Sequence, residues 1–372
     1  MSRKMTDEHT PLLLVVTGPP ASGKTTIARA VARELALPLF AKDELKEALF
    51  DSLGTGDRAW SRRLGGAVFE LLYAIAEAQL SAGCAALLEA NFVRGTSEPA
   101  FAALPSHRLV QIHCSAPEHV LLERYRGRRR HAGHLDDALV DDVVAAIRDA
   151  RHDPLALAGD LIEIDTSPGT DAARASIARR VRTRGGGHSE RMARPLLLVV
   201  TGPPATGKTK VAEELAERLQ MPFILKDTLK ERLYEVFGSG DELEEKVEQA
   251  ALAILFSVID SQLAAGVSVV AESNFDARFE TEPFRRLRRE HDVRLIQVHC
   301  SKPPHEVARH FAERAASGRR HPGHGDRPED AQEVVEDVES GRWDALDLPG
   351  ELIEVDVDEL DYDVLVRRLR RD

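Results

Sequence analysis

The stretch TGPPASGKTT at residues 17–26 returns almost unchanged as TGPPATGKTK at residues 201–210. Each copy follows a short aliphatic run, LLLVV, and opens a segment whose apolar residues have helical spacing. A glycine-rich turn between a strand and a helix can point its backbone amides at an anion, and the spacing GxxxxGK(S/T) is typical of loops that bind nucleotide phosphates. The repeated stretch therefore predicts two phosphate-binding loops.

The repetition extends well beyond the loop. Six segments of the first half match six of the second in the same order. The pairs are LLLVVTGPPASGKTT with LLLVVTGPPATGKTK, KDELKEALFDSLG with KDTLKERLYEVFG, LLEANF with VAESNF, LVQIHCS with LIQVHCS, RRHAGH with RRHPGH, and GDLIEID with GELIEVD. An ordered series indicates a duplication whose unit is long enough to bury its own core. We expect domains at 1–184 and 195–372, joined at 185–194 by a glycine-rich linker.

Short aliphatic runs alternate with longer amphipathic stretches in each half. In the first half the runs LLLVV, LPLF, AALLEAN, RLVQIHCS and LIEID indicate buried strands, separated by helical patterns such as residues 67–80. Strands that alternate with helices pair in parallel through right-handed crossovers. The predicted fold class is therefore α/β, with a three-layer parallel sheet and helices on both faces of each domain. Ligands of such sheets bind at the carboxyl ends of the strands, where the motifs fall.

Composition narrows the function classes. The formal net charge is −12, which disfavours general binding to nucleic acid, because that needs clustered Lys and Arg. No uninterrupted apolar run approaches the roughly 18 residues of a membrane span. Cys84, Cys114 and Cys300 have no CxxC spacing and fit a reducing compartment. We expect a soluble cytoplasmic protein with no membrane partner, and the composition disfavours a nucleic-acid partner. The sequence gives no indication of the oligomeric state.

The loop residues have separate predicted roles. Gly18 and Gly23 permit the backbone angles that bend amides around phosphates. Lys24 would reach the β and γ oxygens of ATP, and the Thr25 hydroxyl would ligate Mg²⁺. The predicted nucleotide-binding residues are Gly18, Ser22, Gly23, Lys24, Thr25 and Thr26 in the first copy and Gly202, Thr206, Gly207, Lys208 and Thr209 in the second.

On these motifs, each half resembles a P-loop kinase of the nucleotide-kinase-like group. That group includes chloramphenicol phosphotransferase, zeta toxins, gluconate kinase and the kinase part of polynucleotide kinases. The resemblance covers most of both halves and implies tandem P-loop NTPase domains, each with a lid, that use ATP and Mg²⁺. The Walker A loop is highly specific for a nucleoside triphosphate, whereas nothing in the pattern identifies the acceptor.

The resemblance also implies an acidic residue just after the second strand, where it meets the acceptor hydroxyl. Asp43 and Asp227 stand there, and a carboxylate at this place can orient the hydroxyl and take its proton. An aspartate at a strand-to-helix junction is also a common helix cap, so both roles stay open. Lys42 and Lys226, one residue earlier, either bind an anionic group of the substrate or point into water.

A second acidic position lies at the end of the third strand, where related kinases hold Mg²⁺, usually through water. Glu89 and Glu272 stand there. A charge at the end of a buried strand needs a partner, which Mg²⁺ or the loop lysine would supply. Aspartate is the commoner residue at this place, so the metal geometry is not defined by the pattern. The predicted metal ligands are Thr25, Glu89, Thr209 and Glu272.

The segments ERYRGRRRHAGH at 123–134 and ERAASGRRHPGH at 313–324 resemble the lid of these kinases. Lid arginines neutralise charge on the transferring phosphoryl group, and the alternative is a solvated basic surface. The candidates at matching places are Arg129, Arg130, Arg319 and Arg320. Each segment has two histidines at HxxH spacing, but no second pair of ligands accompanies them, so zinc is not expected.

The leading interpretation is a tandem ATP-dependent kinase in which each half phosphorylates a hydroxyl of a small molecule. Neither half has lost its loop Lys and Thr, its two acids or its lid arginines. One alternative acceptor is a polynucleotide 5′-hydroxyl, which the acidic charge and the low aromatic content of 5% disfavour. Another alternative is an ATP-dependent switch or scaffold. The helices at 60–80 and 243–263 are expected to help form the acceptor pockets, but their residues follow no recognisable code.

Overall fold

A computed structural model describes residues 10–135, 139–169, 181 and 194–371. The chain divides into a first unit, Met1–Arg191, and a second unit, Met192–Asp372. Most of the predicted linker at 185–194 lies outside the described residues. The boundaries 1–184 and 195–372 therefore stay predictions.

Strands and helices alternate in both units. The first unit contains β1 (Leu12–Thr17), α1 (Lys24–Leu35), β2 (Leu39–Ala41), α2 (Lys42–Leu53), α3 (Arg58–Ser81), β3 (Ala86–Glu89), α4 (Glu98–Ala103), β4 (Arg108–Ser115), α5 (Glu118–Gly127), α6 (Val140–Arg148) and β5 (Asp160–Asp165). The second unit contains β6 (Leu196–Thr201), α7 (Lys208–Leu219), β7 (Phe223–Leu225), α8 (Lys226–Phe237), α9 (Asp241–Ala264), β8 (Val269–Glu272), α10 (Ala277–Glu290), β9 (Arg294–Ser301), α11 (Pro304–Ala316), α12 (Ala331–Glu339), β10 (Glu351–Asp356) and α13 (Tyr362–Leu369).

Over the described residues, each unit has one five-stranded sheet, and all of its strand pairs are parallel. The order is β2-β3-β1-β4-β5 in the first unit and β7-β8-β6-β9-β10 in the second. In both, the central strand leads into the phosphate-binding loop and pairs with the strand that ends in the predicted acid. Val16 is in register with Glu89, and Val200 with Glu272. The predicted α/β fold of two tandem P-loop domains is confirmed, and its register places each glutamate beside a loop.

Helices cover both faces of the sheet because side chains of successive strand residues alternate between faces. Leu14 and Val16 of β1 pack in one cluster with Ile27 of α1 and other apolar side chains. Leu13 and Val15, on the other face, are fully buried as well, and α3 contacts β1 and β3. The aliphatic run of β1 is therefore apolar throughout because it is buried on both sides.

The helical pattern at 67–80 and the helix expected at 60–80 are both shorter than the helix in the structure. It begins at Arg58. Asp57 caps it, because the Asp57 side chain accepts a hydrogen bond from the Trp60 backbone amide at 2.8 Å. Two glycines, Gly65 and Gly66, interrupt the apolar pattern of its first half, so the sequence signal starts late. The short helix α4 and the helix α6 were not predicted either.

The helix α9 adds one observation about membranes. Its segment Leu243–Ala264, with 22 residues and a mean hydropathy of 1.3, is long and apolar enough to span a membrane. The core helix of a globular unit passes the same test, and 56% of this window is buried inside the unit. The search for an uninterrupted apolar run did not find this stretch, because scattered polar residues interrupt it.

Each unit contains one tryptophan. Trp60 is half-buried near the start of α3, and its indole Nε1 donates to the Gly54 carbonyl oxygen at 2.9 Å. Trp343 is 6% exposed and packs with Val307, Phe311 and Val334. The two rings therefore lie in different surroundings.

Candidate active site

The first glycine of each phosphate-binding loop lies against a neighbouring strand. Gly18 has a φ of 145°, and a Cβ on it would lie 2.2 Å from the carbonyl oxygen of Cys114 in β4. Gly202 repeats this with a φ of 136° and a distance of 2.0 Å to the carbonyl oxygen of Cys300. A side chain would push the loop off the sheet, so glycine is needed for the close approach as well as for the backbone angle.

The bend of each loop also uses an alanine. Ala21 and Ala205 have φ values of 64° and 60°, in the left-handed region that residues with a Cβ seldom occupy. Gly23 and Gly207, which precede the helices, have φ values of 77° and 91°. Left-handed residues other than glycine concentrate at functional sites, where the surrounding structure holds them. The sequence did not identify these alanines, because no residue pattern marks an alanine as left-handed.

Glu89 bridges two residues of the first loop. Its Oε2 accepts a hydrogen bond from the Thr25 hydroxyl at 3.1 Å, and its Oε1 lies 3.9 Å from Lys24 Nζ. Burial raises the pKa of Glu89, while Lys24 counteracts that shift. The glutamate thus has the partner that a buried charge requires.

The second unit repeats this arrangement. Thr209 donates to Glu272 Oε2 at 2.9 Å, and Lys208 Nζ lies 3.9 Å from Oε1. Burial raises the pKa of Glu272 and lowers that of Lys208. A carboxylate beside a threonine hydroxyl offers the oxygen ligands that Mg²⁺ takes, so these residues fit a magnesium site.

Ser22 gives a further indication of a phosphate ligand. It is fully buried, and its Oγ has no hydrogen-bond partner among the described residues. The aligned Thr206 instead donates to the Pro203 carbonyl oxygen at 3.0 Å. Buried hydroxyls normally have a partner, and a phosphate oxygen within the loop would supply one for Ser22.

Asp43 is the second residue of α2 and does not cap it. The cap position is Ala41, and no side chain makes a capping hydrogen bond there. Arg130 Nη1 donates to Asp43 Oδ2 at 2.5 Å. Burial alone would raise the pKa of Asp43, but Arg130, Lys42 and Lys24 hold it well below its usual range. The carboxylate is therefore ionised at neutral pH and faces the lid.

The corresponding aspartate of the second unit belongs to a network that contains two arginines and a second aspartate. Arg320 donates to both Asp227 and Asp326, and Arg314 donates to Asp326 Oδ2 at 3.0 Å. Burial alone would raise the pKa of Asp227, but Arg320 and nearby cations hold it well below its usual range. Asp326 was not among the predicted site residues, and its aligned position in the first unit lies outside the described residues.

One pocket of about 300 Å³ brings the predicted groups of the first unit together. Its lining residues are Ala21, Gly23, Lys24, Thr25, Thr26, Asp43, Arg124, Arg128 and Arg130. The phosphate-binding loop, the acceptor-side acid and the lid meet there, at the carboxyl end of the sheet. The catalytic and binding roles of these residues stay predictions.

The lid arginines are placed unequally. Arg129 is exposed and does not line the pocket, and Arg319 is exposed as well. Arg128, which was not predicted as a site residue, lines the pocket, and its guanidinium lies 3.9 Å from the ring centre of Tyr125. The sequence does not show which of the three consecutive arginines points inwards, because the lid segment has neither helical nor strand periodicity.

The lid histidines attach the lid to the helix after the second strand. His134 Nε2 lies 2.9 Å from Glu47 Oε1, and the His131 ring stacks on Phe50 with 5.2 Å between ring centres. The second unit has the same contacts, between His324 and Glu231 at 2.9 Å and between His321 and Tyr234 at 6.0 Å. These contacts give the HxxH spacing a packing role.

Lys42 and Lys226 do not point into water. Lys42 Nζ donates to Asn91 Oδ1 at 2.9 Å, whereas Lys226, which is 4% exposed, donates to Glu248. Burial lowers the pKa of Lys42. Of the two roles that the sequence left open, solvent exposure is therefore wrong.

Comparison with solved structures gives likenesses that each cover about half of this chain. A “putative kinase” of Chloroflexus aurantiacus is 33% identical over 47% of this chain and 97% of its own, with a TM-score of 0.44. A sugar kinase of Janibacter sp. is 19% identical over 47% of this chain and 93% of its own, with a TM-score of 0.34. A protein of the PezAT toxin–antitoxin system of Streptococcus pneumoniae is 15% identical over 50% of this chain and 79% of its own, with a TM-score of 0.31. These likenesses do not identify a substrate.

Comparison with curated proteins found no match. The family described as AAA domain (AAA_33) matches the chain twice, at residues 13–154 and 197–338. Each match includes a phosphate-binding loop, its acids and its lid arginines. Because the two matches span most of both units, the chain belongs to this AAA domain family and consists of two tandem P-loop kinase-like domains.

Proposed function

We propose that both units are ATP-dependent kinases that transfer the γ-phosphoryl group of ATP to a hydroxyl of a small molecule. The observation that carries this proposal is the repeated placement of an ionised aspartate against a lid arginine, Asp43 with Arg130 and Asp227 with Arg320. In the first unit this pair lines the same pocket as the phosphate-binding loop. An acid and a phosphate clamp in one pocket are the parts that phosphoryl transfer to a hydroxyl needs.

The donor would be bound by the loop. Its amides and Lys24 would hold the phosphates, and the left-handed residues Ala21 and Gly23 give the loop its curvature. Thr25 and Glu89 would hold Mg²⁺, which when bound neutralises charge on the phosphate oxygens. Their present hydrogen bond keeps both oxygen groups at one place.

The acceptor would be bound by Asp43. Because its pKa lies well below the usual range, Asp43 is a weak base, and its main role would be to orient the hydroxyl and take the proton late. Arg130 now pairs with Asp43, and a triphosphate entering the pocket would compete for this arginine. Binding of ATP would thereby free the aspartate for the acceptor.

The test is phosphoryl transfer by the intact chain. With Mg²⁺ and γ-labelled ATP, we expect the label to appear on one or more members of a panel of small hydroxyl compounds, with ADP release that depends on the acceptor. Label found solely in inorganic phosphate, at one rate with every compound, would contradict a kinase and favour a switch or scaffold. Label on a 5′-hydroxyl oligonucleotide would favour the polynucleotide alternative.

The cytoplasm, where ATP and Mg²⁺ are available, is the proposed compartment.

A further inference from the structure

A buried threonine lies where the last strand of the first sheet ends. Thr166 follows β5 directly and is fully buried. Its backbone amide donates to the carbonyl oxygen of Ser115, the last residue of β4, at 2.9 Å. Its hydroxyl oxygen lies 2.9 Å from the carbonyl oxygen of Ser22 and 3.0 Å from that of Ser115, so it can donate to either. One side chain thus links the phosphate-binding loop to the carboxyl end of the sheet.

The same threonine holds an arginine of the lid. Arg124 Nη1 donates to Thr166 Oγ1 at 3.1 Å, and Arg124 Nη2 donates to the Thr166 carbonyl oxygen at 2.7 Å. A guanidinium has five N–H groups, so these two contacts leave others for a ligand. Arg124 lines the pocket together with Lys24 of the loop. The threonine therefore holds a cation at the pocket of the phosphate-binding loop.

The loop residue that Thr166 contacts is Ser22, whose own Oγ has no hydrogen-bond partner among the described residues. A hydroxyl that accepts one hydrogen bond and donates another couples the groups at its two ends. The position of Arg124 and that of the Ser22 backbone therefore depend on the same oxygen atom. Replacing that oxygen by a methyl group would break both contacts at once.

The second unit holds its lid arginine in another way. Val357 follows β10 as Thr166 follows β5, and its Cγ1 would lie 3.1 Å from a Cβ placed on Gly207. A valine side chain cannot hydrogen-bond an arginine. Arg314 is the eleventh residue of α11, whereas its counterpart in α5 is the seventh, so it lies about one helical turn further along. There it donates to Asp326 of the lid.

We propose that Thr166 is a positioning residue of the first unit, whose hydroxyl fixes Arg124 beside the phosphate-binding loop so that its guanidinium meets the triphosphate of bound ATP. The inference rests on the proposed function, which assigns ATP to this loop. Thr166 is fully buried and does not line the pocket, so it acts through Arg124 and the Ser22 backbone. The second unit binds its nucleotide without this link.

The test measures nucleotide binding by the first unit alone. A Lys208→Ala background disables the second loop, and binding of Mg²⁺ with a non-hydrolysable ATP analogue is followed by calorimetry. We expect Thr166→Val, which keeps the shape of the side chain and removes the hydroxyl, to weaken binding about tenfold, because charge-assisted hydrogen bonds are lost. Thr166→Ser keeps the hydroxyl and should bind the analogue within about twofold of the background.

A second set of variants shows whether Thr166 acts through the arginine. Arg124→Met should also weaken binding of the analogue about tenfold. Added to Arg124→Met, Thr166→Val should weaken binding by less than a further twofold or so, because the side chain that it positions is gone. Thr166→Ala repeats the cycle with a smaller side chain, and urea unfolding shows that each variant is folded at the temperature of the titration.

The outcomes separate this inference from the proposed function. Equal affinity of the background, Thr166→Val and Thr166→Ala would overturn it. A loss at Thr166 that is the same with and without Arg124 would show a purely structural role and would also overturn it. The expected order of affinities, in a protein that phosphorylates no hydroxyl compound, would support the role of Thr166 and contradict the kinase proposal. Transfer to a hydroxyl compound by Thr166→Val, with an unchanged KM for ATP, would do the reverse.

Discussion

At the scale of single residues, the loop glycines are constrained more tightly than their motif indicates. The spacing GxxxxGK(S/T) requires a flexible residue at position 18, whereas the structure shows that any Cβ there would collide with the Cys114 carbonyl oxygen. Gly18 must therefore be glycine for two separate reasons, its positive φ and its close approach to β4.

Gly18→Ala should abolish nucleotide binding by the first unit. Gly54→Ala is the matched control, because Gly54 also has a positive φ, 85°, but no atom of the described residues lies within 4 Å of a Cβ placed on it. Both changes place a side chain at positive φ, which costs on the order of 1 to 3 kcal/mol, and Gly18→Ala alone adds the collision. Calorimetry with Mg·ATP in a Lys208→Ala background measures the first unit. Equal affinities of the two variants would contradict the steric argument.

At the scale of elements, the lid of each unit contacts the helix after the second strand, which is α2 in the first unit and α8 in the second. The lid reaches α2 through His134 and Glu47, and its arginine reaches Asp43. The lid of the second unit makes the same two kinds of contact with α8. Lid position and acceptor-side acid are therefore linked by one pair of contacts.

Arg130→Met should lower kcat of the first unit by about 10³ to 10⁵, since it removes the cation that would neutralise the transferring group. Arg129→Met, a change at the neighbouring exposed arginine, should have a much smaller effect. Steady-state kinetics of both variants in the Lys208→Ala background provide the comparison. An equal or larger loss with Arg129→Met would show that the lid turns this arginine inwards during turnover.

The contact between α8 and α9 should make the second unit sensitive to acid. Burial alone would raise the pKa of Glu248, but Lys226 and Lys230 lower it to about 2 in the folded unit, against an ordinary 4.5. Its stabilising effect is therefore complete above pH 4.5 and is lost as the pH falls towards 2. We expect Glu248→Gln to lower the free energy of unfolding by about 1 to 3 kcal/mol at neutral pH. The difference from the wild type should stay constant down to about pH 5 and shrink below it.

Urea unfolding at several pH values measures this difference. Glu245→Gln is the control, an exposed glutamate on the same helix, and should change the unfolding free energy by less than about 0.5 kcal/mol at every pH. A difference between the wild type and Glu248→Gln that grows as the pH falls would contradict the ion-pair assignment.

The sequence predicted those elements whose signals are local. Aliphatic runs marked the strands, and the motifs marked the loops, Asp43 and Glu89, because strand, turn and helix follow one another directly in the chain. Arg128 and Asp326 were missed because their positions depend on how an irregular lid folds back.

At the scale of the whole molecule, the duplication has preserved one set of residues and changed another. The donor side is nearly identical in both units: loop, glutamate and loop lysine make the same contacts. The acceptor side differs, since Lys42 donates to Asn91 whereas Lys226 donates to Glu248. We infer that both units bind the same donor.

Lys24→Ala and Lys208→Ala should each remove one of two Mg·ATP sites per chain, and the double variant should remove both, because each lysine serves its own loop. Lys246→Ala, at an exposed lysine on α9 away from the loop, is the control and should leave two sites. Binding stoichiometry and ATP consumption are measured on the intact chain. Wild-type ATP consumption by either single variant would show that the corresponding unit is idle.

The placement of the two tryptophans has an optical consequence. Trp60 is half-buried and touches solvent near the start of α3, whereas Trp343 is buried against Val307, Phe311 and Val334. An indole in water emits at longer wavelength than one in an apolar core, so the two units should contribute separable bands to the fluorescence spectrum. Replacing either tryptophan by phenylalanine leaves a single indole to emit. A change in its fluorescence on addition of a ligand then reports binding in the unit that keeps the tryptophan.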